Sequence, residues 1–157
     1  ASEGEILVPA NYNAPGQIVV SGTRSACARI LAKAEAKGIK AVALKVAGAF
    51  HSPIMQSGAD RMKAELAPIT FESPAVTVYS NVTAQPHGSV STMKSLLVDQ
   101  IVRPVRWAQT MQALIAQGGD VAKFIELAPG RTLAGLAKRI NRRLPVQSLE
   151  TFTSLTA

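Results

Sequence analysis

An alternating apolar run ends in small residues and then in a single imidazole: Val42, Leu44 and Val46, then Gly48-Ala49-Phe50-His51-Ser52-Pro53. Alternation with period two predicts a strand over Lys40 to Val46 with one covered face. Ser52 and Pro53 suit the cap and first turn of a helix, which is expected from Pro53 to Leu66. Such a chain must pass from strand to helix within a few residues, and His51 stands at that corner. A neutral imidazole there can take or give a proton near neutral pH. On this local pattern alone, His51 reads more readily as a capping or packing residue.

The flanking sequence has the same rhythm. Asn11 to Gln17 holds two asparagines, a proline and a glycine and is expected to turn, with Pro15-Gly16 at its centre. Gln17 to Ser21 is a short β-branched strand. A helix follows from Thr23 or Ser25 to Lys37, with Gly38 as its C′ residue. Beyond the second helix, Ala75 to Ser80 reads as a strand and 82–91 as an exposed loop in which His87 is solvated. Further helices are expected from Ser91 or Thr92 to Ile101, from Val105 to Gln117 and from Thr132 to Leu144. Strands are expected over Val121 to Leu127 and Pro145 to Leu149. Strands alternating with helices give an α/β class with a parallel component.

With 157 residues the chain suffices for one ordinary core. Charged residues are only 17% and mean hydropathy is +0.16, so either much surface is buried per residue or a surface expects a partner. No apolar run reaches the 18 or so residues of a membrane span, and no signal peptide stands at the start. One cysteine, Cys27, excludes an internal disulfide and reads as packing. A cytoplasmic location is expected, or a plastid or mitochondrion in a eukaryote. The net charge of +7 is concentrated between Lys123 and Arg143. No nucleic-acid motif accompanies it, so an acidic protein or an anionic substrate suits it better.

Several chemistries lack their residues. There is no Gly-rich phosphate loop, no metal-ligand cluster and no Gly-x-Ser-x-Gly elbow. His51 therefore looks like a base without a visible nucleophile, and Ser52 reads as a cap.

Four segments carry a resemblance. Asn11-Tyr12-Asn13-Ala14-Pro15-Gly16-Gln17 resembles the Asn-aromatic-Asn-x-Pro-Gly-Gln segment of malonyl-CoA:acyl carrier protein transacylases. Gly48 to Met55 resembles that family's catalytic-histidine motif. Gln100 with Pro104-Val105-Arg106-Trp107 resembles its Gln-x-x-x-Pro-Val-x-Trp stretch. Glu126-Leu127-Ala128-Pro129-Gly130 with Gly135-Leu136 resembles its Glu-x-Gly-Pro-Gly segment, with Ala128 in place of glycine. The resemblance spans nearly the whole chain and implies a fold. Residues 1–46 would be the second part of a ferredoxin-like small subdomain. Residues 47–157 would be the later part of a hydrolase-like large α/β subdomain. It also implies roles. His51 would be the catalytic base, oriented by a main-chain carbonyl near Gln100. Phe50 would fill the space of an α-methyl branch and favour malonyl over methylmalonyl. Asn13 would line the substrate pocket, although it also suits a turn. The implied reaction moves malonyl from CoA to the phosphopantetheine thiol of acyl carrier protein through a serine acyl-enzyme, with no metal and no other cofactor. The serine motif and the carboxylate-binding arginine of the family precede the Asn-Tyr-Asn segment and are missing here. The chain is thus expected to supply the histidine half, to need the N-terminal half as partner and to be inactive alone. Arg131, Lys138, Arg139, Arg142 and Arg143 could meet the acidic carrier protein or CoA phosphates. Neither nucleic acid nor membrane is expected as a partner. A non-catalytic carrier-protein-binding domain, or a polyketide acyltransferase with another acyl unit, would share the same motifs.

Overall fold

The structure is a computed structural model that describes residues 2–118, 123–127 and 129–151. Strands β1 (Leu7–Ala14) and β2 (Gln17–Gly22) form an antiparallel hairpin, and helix α1 (Arg24–Ala36) follows it. A 3₁₀ turn (Pro53–Met55) leads into α2 (Gln56–Leu66). Helices α3 (Val90–Val102) and α4 (Trp107–Gly118) come next, then β3 (Phe124–Leu127), α5 (Thr132–Ile140) and β4 (Val146–Leu149). β3 and β4 pair in parallel, as a crossover through α5 requires. Among the described residues these are two separate two-stranded sheets in a mixed α/β fold.

The helices follow local rules. Thr23 caps α1 by accepting the amide of Ala26 at 3.2 Å, and Gly38 takes φ +64° just past its end. Ser89 caps α3 through the amide of Thr92 at 3.2 Å, so that helix starts earlier than Ser91. The carboxylate of Glu5 ties the chain start to α1. It accepts from the Ser25 hydroxyl, from Arg29 and, at 2.9 Å, from the Thr23 hydroxyl, and these partners hold its pKa at about 2.

Asn11 to Ala14 is strand, not turn. Pro15-Gly16 alone forms the two-residue loop, with Gly16 at φ +74°. Pro9 is accommodated at a register irregularity, where its missing N–H breaks no regular ladder. Helix α5 stops at Ile140 instead of Leu144. The side chain of Asn141 accepts the amide of Arg143 at 3.0 Å, and this local turn competes with further helix. Arg142 and Arg143 consequently lie beyond the helix.

Two expected strands do not form. Residues 40–46 and 75–80 make no regular ladder, and only Tyr79 bridges, to Pro86. Val42, Leu44 and Val46 are 71%, 59% and 63% exposed, and Val76 is 73% exposed. Their alternation makes them competent for pairing, but no neighbouring strand lies beside them among the described residues. The 82–91 segment is not the expected exposed loop throughout, because Val82 and Ala84 are buried. His87 is half-buried, with Nδ1 shielded from solvent and unpartnered among the described residues, instead of being solvated. The expected strand start at Val121 and the tail beyond Thr151 lie outside the described residues.

The core is compact and centred on Met111, Ala137 and Leu144, against which Trp107, Leu114, Phe124, Ile140 and Val146 pack. β1 rests on α4 and α5, and α2 on α3. Among the described residues fifteen large apolar side chains are exposed, including Ile18, Ile125 and Leu127. The high hydropathy thus reflects uncovered apolar surface more than a large core.

Glycine substitutions separate close packing from open space. A Cβ at Gly22 would lie 2.2 Å from the carbonyl oxygen of Ile6, whereas one at Gly135 in α5 meets nothing within 4 Å. Gly22→Ala is expected to cost about 1–3 kcal/mol in urea unfolding. Gly135→Ala is expected to add up to about 1 kcal/mol by raising helix propensity.

Candidate active site

His51 is held at three points around a short loop. Its ring Nδ1 lies 2.7 Å from the carbonyl oxygen of Gln100, and its backbone amide donates to the carbonyl of Ile101 at 3.1 Å. Next to it, Ser52 is fully buried, and its hydroxyl donates to the carbonyl of Ala49 at 2.6 Å. Ser52 therefore closes the loop that carries the histidine; its side chain does not cap the following helix as expected. His51 itself has φ +58°, a left-handed conformation that costs free energy for a residue with a Cβ. The two carbonyls of α3 and the Ser52–Ala49 bond sustain it.

A carbonyl only accepts, so the ring proton resides on Nδ1 and the neutral ring leaves Nε2 bare. Nε2 carries no hydrogen bond among the described residues. Both carbonyls that hold His51 belong to the last turn of α3, where the helix presents partial negative charge.

The other expected residues divide. Gln100 contributes its carbonyl to the ring, and its side-chain Oε1 accepts from Asn81 Nδ2 at 3.3 Å. Phe50 is 48% exposed and lies beside the histidine. Asn13 is in β1, at the second register irregularity. Its strand is joined to the segment that follows α3, because Asn11 bridges to Val105 in parallel. Two motifs far apart in sequence are joined by that bridge.

Asn81 is a residue that the sequence pattern did not single out. Besides holding the side chain of Gln100, its carbonyl accepts the amide of Arg106 at 2.8 Å. It thus links the end of α3 to the approach of α4. The signal available in the sequence was only an asparagine between two elements.

Glu126 is a second polar centre, away from the histidine. It is 5% exposed, and its two oxygens accept the amides of Leu133 at 2.8 Å and Ala134 at 3.1 Å, with the Ser148 hydroxyl at 3.0 Å. The carboxylate joins β3, the start of α5 and β4. Burial pushes its pKa up, but the two amides and the hydroxyl outweigh that and hold it below the ordinary value of 4.5. The nearby arginines are partly engaged: Arg131 pairs with Glu150 at 3.0 Å, and Arg139 donates to Gln17 at 2.7 Å. Among the described residues no cluster of three or more His, Cys, Asp or Glu could hold a metal ion. No described helix is long and apolar enough to cross a membrane.

Comparison with known proteins matches residues 3–154 to the acyl transferase domain family. The malonyl CoA-acyl carrier protein transacylase of Escherichia coli K12 is 36% identical over 158 residues, covering 100% of this chain and 50% of the relative. The Bacillus subtilis transacylase is 40% identical over 143 residues, covering 90% of this chain and 44% of the relative. The chain therefore spans about half the length of the curated relatives it matches. The structure of the Coxiella burnetii transacylase superposes with a TM-score of 0.91 at 37% identity, over 99% of this chain and 49% of that one. A malonyl-transacylase in complex with a type II polyketide acyl carrier protein superposes with a TM-score of 0.91 at 35% identity, over 99% and 50%.

Glu126→Gln is expected to destabilise the chain at neutral pH, since one of the two accepting oxygens becomes an NH2 group that faces an N–H or O–H donor. The folded pKa of Glu126 lies below the unfolded one. Its contribution is therefore present above about pH 4.5 and is lost as pH falls through the folded value. The midpoint difference between parent and variant in urea should shrink steadily below that pH. A constant difference down to pH 2.5 would contradict an ionised Glu126.

Proposed function

Because the chain belongs to the acyl transferase domain family, we propose that it supplies the histidine-bearing part of a malonyl-CoA:acyl carrier protein transacylase. The observation that carries this reading is the 2.7 Å contact between His51 Nδ1 and the Gln100 carbonyl, which leaves Nε2 as the working base.

The reaction follows from one basic nitrogen used twice. Nε2 takes the proton of a serine hydroxyl while the serine oxygen attacks the thioester carbonyl of malonyl-CoA. The imidazolium returns that proton to the departing CoA sulfur. Nε2 then takes the thiol proton of phosphopantetheine on acyl carrier protein. The sulfur attacks the serine ester, malonyl passes to the carrier, and the serine oxygen recovers the proton. The sequence holds no Gly-x-Ser-x-Gly turn, so in this reading the serine lies on a further part of the enzyme and this chain alone turns nothing over. Malonyl-CoA and acyl carrier protein are the proposed substrates, and no metal or bound cofactor takes part.

Phe50 is proposed to restrict the acyl unit, its ring occupying the room an α-methyl group would need. Asn13 is proposed to line the pocket, and the bridge between Asn11 and Val105 supports its place near the histidine. Basic residues around α5 are proposed to meet the acidic carrier. Residues 1–46 are proposed as the second part of a ferredoxin-like subdomain and 47–157 as the later part of a hydrolase-like one. The antiparallel hairpin of the first and the parallel β3–β4 pair of the second support that division.

A chimera in which this chain replaces the matching segment of the E. coli transacylase tests the reading. It should transfer malonyl from CoA to acyl carrier protein, and the isolated chain should not. His51→Ala in the folded chimera should lower turnover by roughly 10²–10⁴-fold. Turnover by the chain alone, or full activity of His51→Ala, would overturn the assignment. Phe50→Ser is expected to raise methylmalonyl transfer relative to malonyl, read as the ratio of the two kcat/KM values.

A further inference from the structure

We infer that Pro104 is a positioning residue for His51: by withholding a backbone N–H four residues after Gln100, it leaves the Gln100 carbonyl for the imidazole. In an α-helix each carbonyl accepts the amide four residues on. The last such bond at the end of α3 is from the amide of Arg103 to the carbonyl of Asp99, at 2.9 Å. The next two carbonyls, of Gln100 and Ile101, would receive the amides of residues 104 and 105. Residue 104 is proline and has no N–H. The amide of Val105 is drawn away to the carbonyl of Ala10 in β1, at 2.9 Å, while the amide of Tyr12 returns to the carbonyl of Val105, also at 2.9 Å.

Both carbonyls released in this way are used by one residue. The ring Nδ1 of His51 takes Gln100, and the backbone amide of His51 takes Ile101. Proline acts a second time on the residue before it. Arg103 has φ −117° and ψ 156°, extended as the residue ahead of a proline prefers to be, so the helix cannot wind on over the freed oxygens. A residue with an N–H at 104 would regain both options. It could extend α3 by a residue and donate to the Gln100 carbonyl in competition with the ring. The ring would then lose the partner that fixes its proton on Nδ1, and Nε2 would spend part of its time protonated and unable to act as a base.

The test reads the ring directly on this chain, labelled with ¹⁵N at histidine, by long-range ¹⁵N–¹H correlation at about pH 8.5, where an ordinary imidazole is neutral. Acyl transfer is not needed for the readout, so a failure here and a failure of the proposed function are separable. The parent chain should show His51 as a single Nδ1–H tautomer. Pro104→Ala should give a mixture of tautomers, with the Nε2–H form rising to on the order of a tenth or more of the population, a competition of about one hydrogen bond. Replacement of Pro104 by lactic acid, which has an ester oxygen and neither ring nor N–H, should keep the single Nδ1–H tautomer. An unchanged single tautomer in folded Pro104→Ala would overturn the inference, as would a mixture in the lactic acid form. Should Pro104→Ala fail to fold, Pro104→Gly, which restores the same N–H, is read in its place with the same two outcomes.

Discussion

Two carbonyl oxygens at the end of one helix hold the candidate site together. Gln100 and Ile101 sit where α3 runs out of its own donors, and His51 satisfies both, through its ring and through its amide. Those two bonds accomplish several things at once. They satisfy backbone acceptors that would otherwise be orphaned, they hold a left-handed histidine, and they decide which ring nitrogen is bare. The same end of α3 leads through Pro104 and Val105 to β1, so the hairpin carrying Asn13 is registered against the histidine by main-chain hydrogen bonds.

Around that junction the molecule is held by small contacts. Among the described residues alanines make up much of the buried set, and Met111, Ala137 and Leu144 form a cluster between α4, α5 and the loop before β4. Glu126 serves this second region as the α3 carbonyls serve the first. A single carboxylate ties β3 to the first amides of α5 and to β4, an N-terminal cap supplied from another element. Both centres rest on the unsatisfied backbone groups of a helix end, one at a C-terminus and one at an N-terminus.

Helices were legible in the sequence because their hydrogen bonds are local. Thr23 and Gly38 mark boundaries wherever the chain goes next, and the β1–β2 turn was likewise readable in Pro15-Gly16. Strands 40–46 and 75–80 were misjudged for the complementary reason. Val42, Leu44 and Val46 encode a face, but a strand exists only beside another strand, and none is supplied by the described residues. The place of His51 just ahead of a helix was readable from Ser52, Pro53 and the family motifs around it. Its acceptor was foreseen only through that resemblance. A backbone carbonyl leaves no mark on a sequence, since every residue has one. Asn81 escaped notice because its partners, Gln100 and Arg106, lie 19 and 25 positions away. The end of α5 was placed too late because Asn141 prefers its own turn to another residue of helix.

In the proposed reaction, His51 Nε2 faces a serine hydroxyl contributed by a further part of the enzyme. The decisive measurement is the distance from that nitrogen to the nucleophilic serine oxygen in a crystal structure of the active chimera. A hydrogen-bonding separation of about 2.6–3.2 Å is required, with Nδ1 still on the Gln100 carbonyl. A ring whose Nε2 points away from the serine, or a serine paired with a different base, would contradict it.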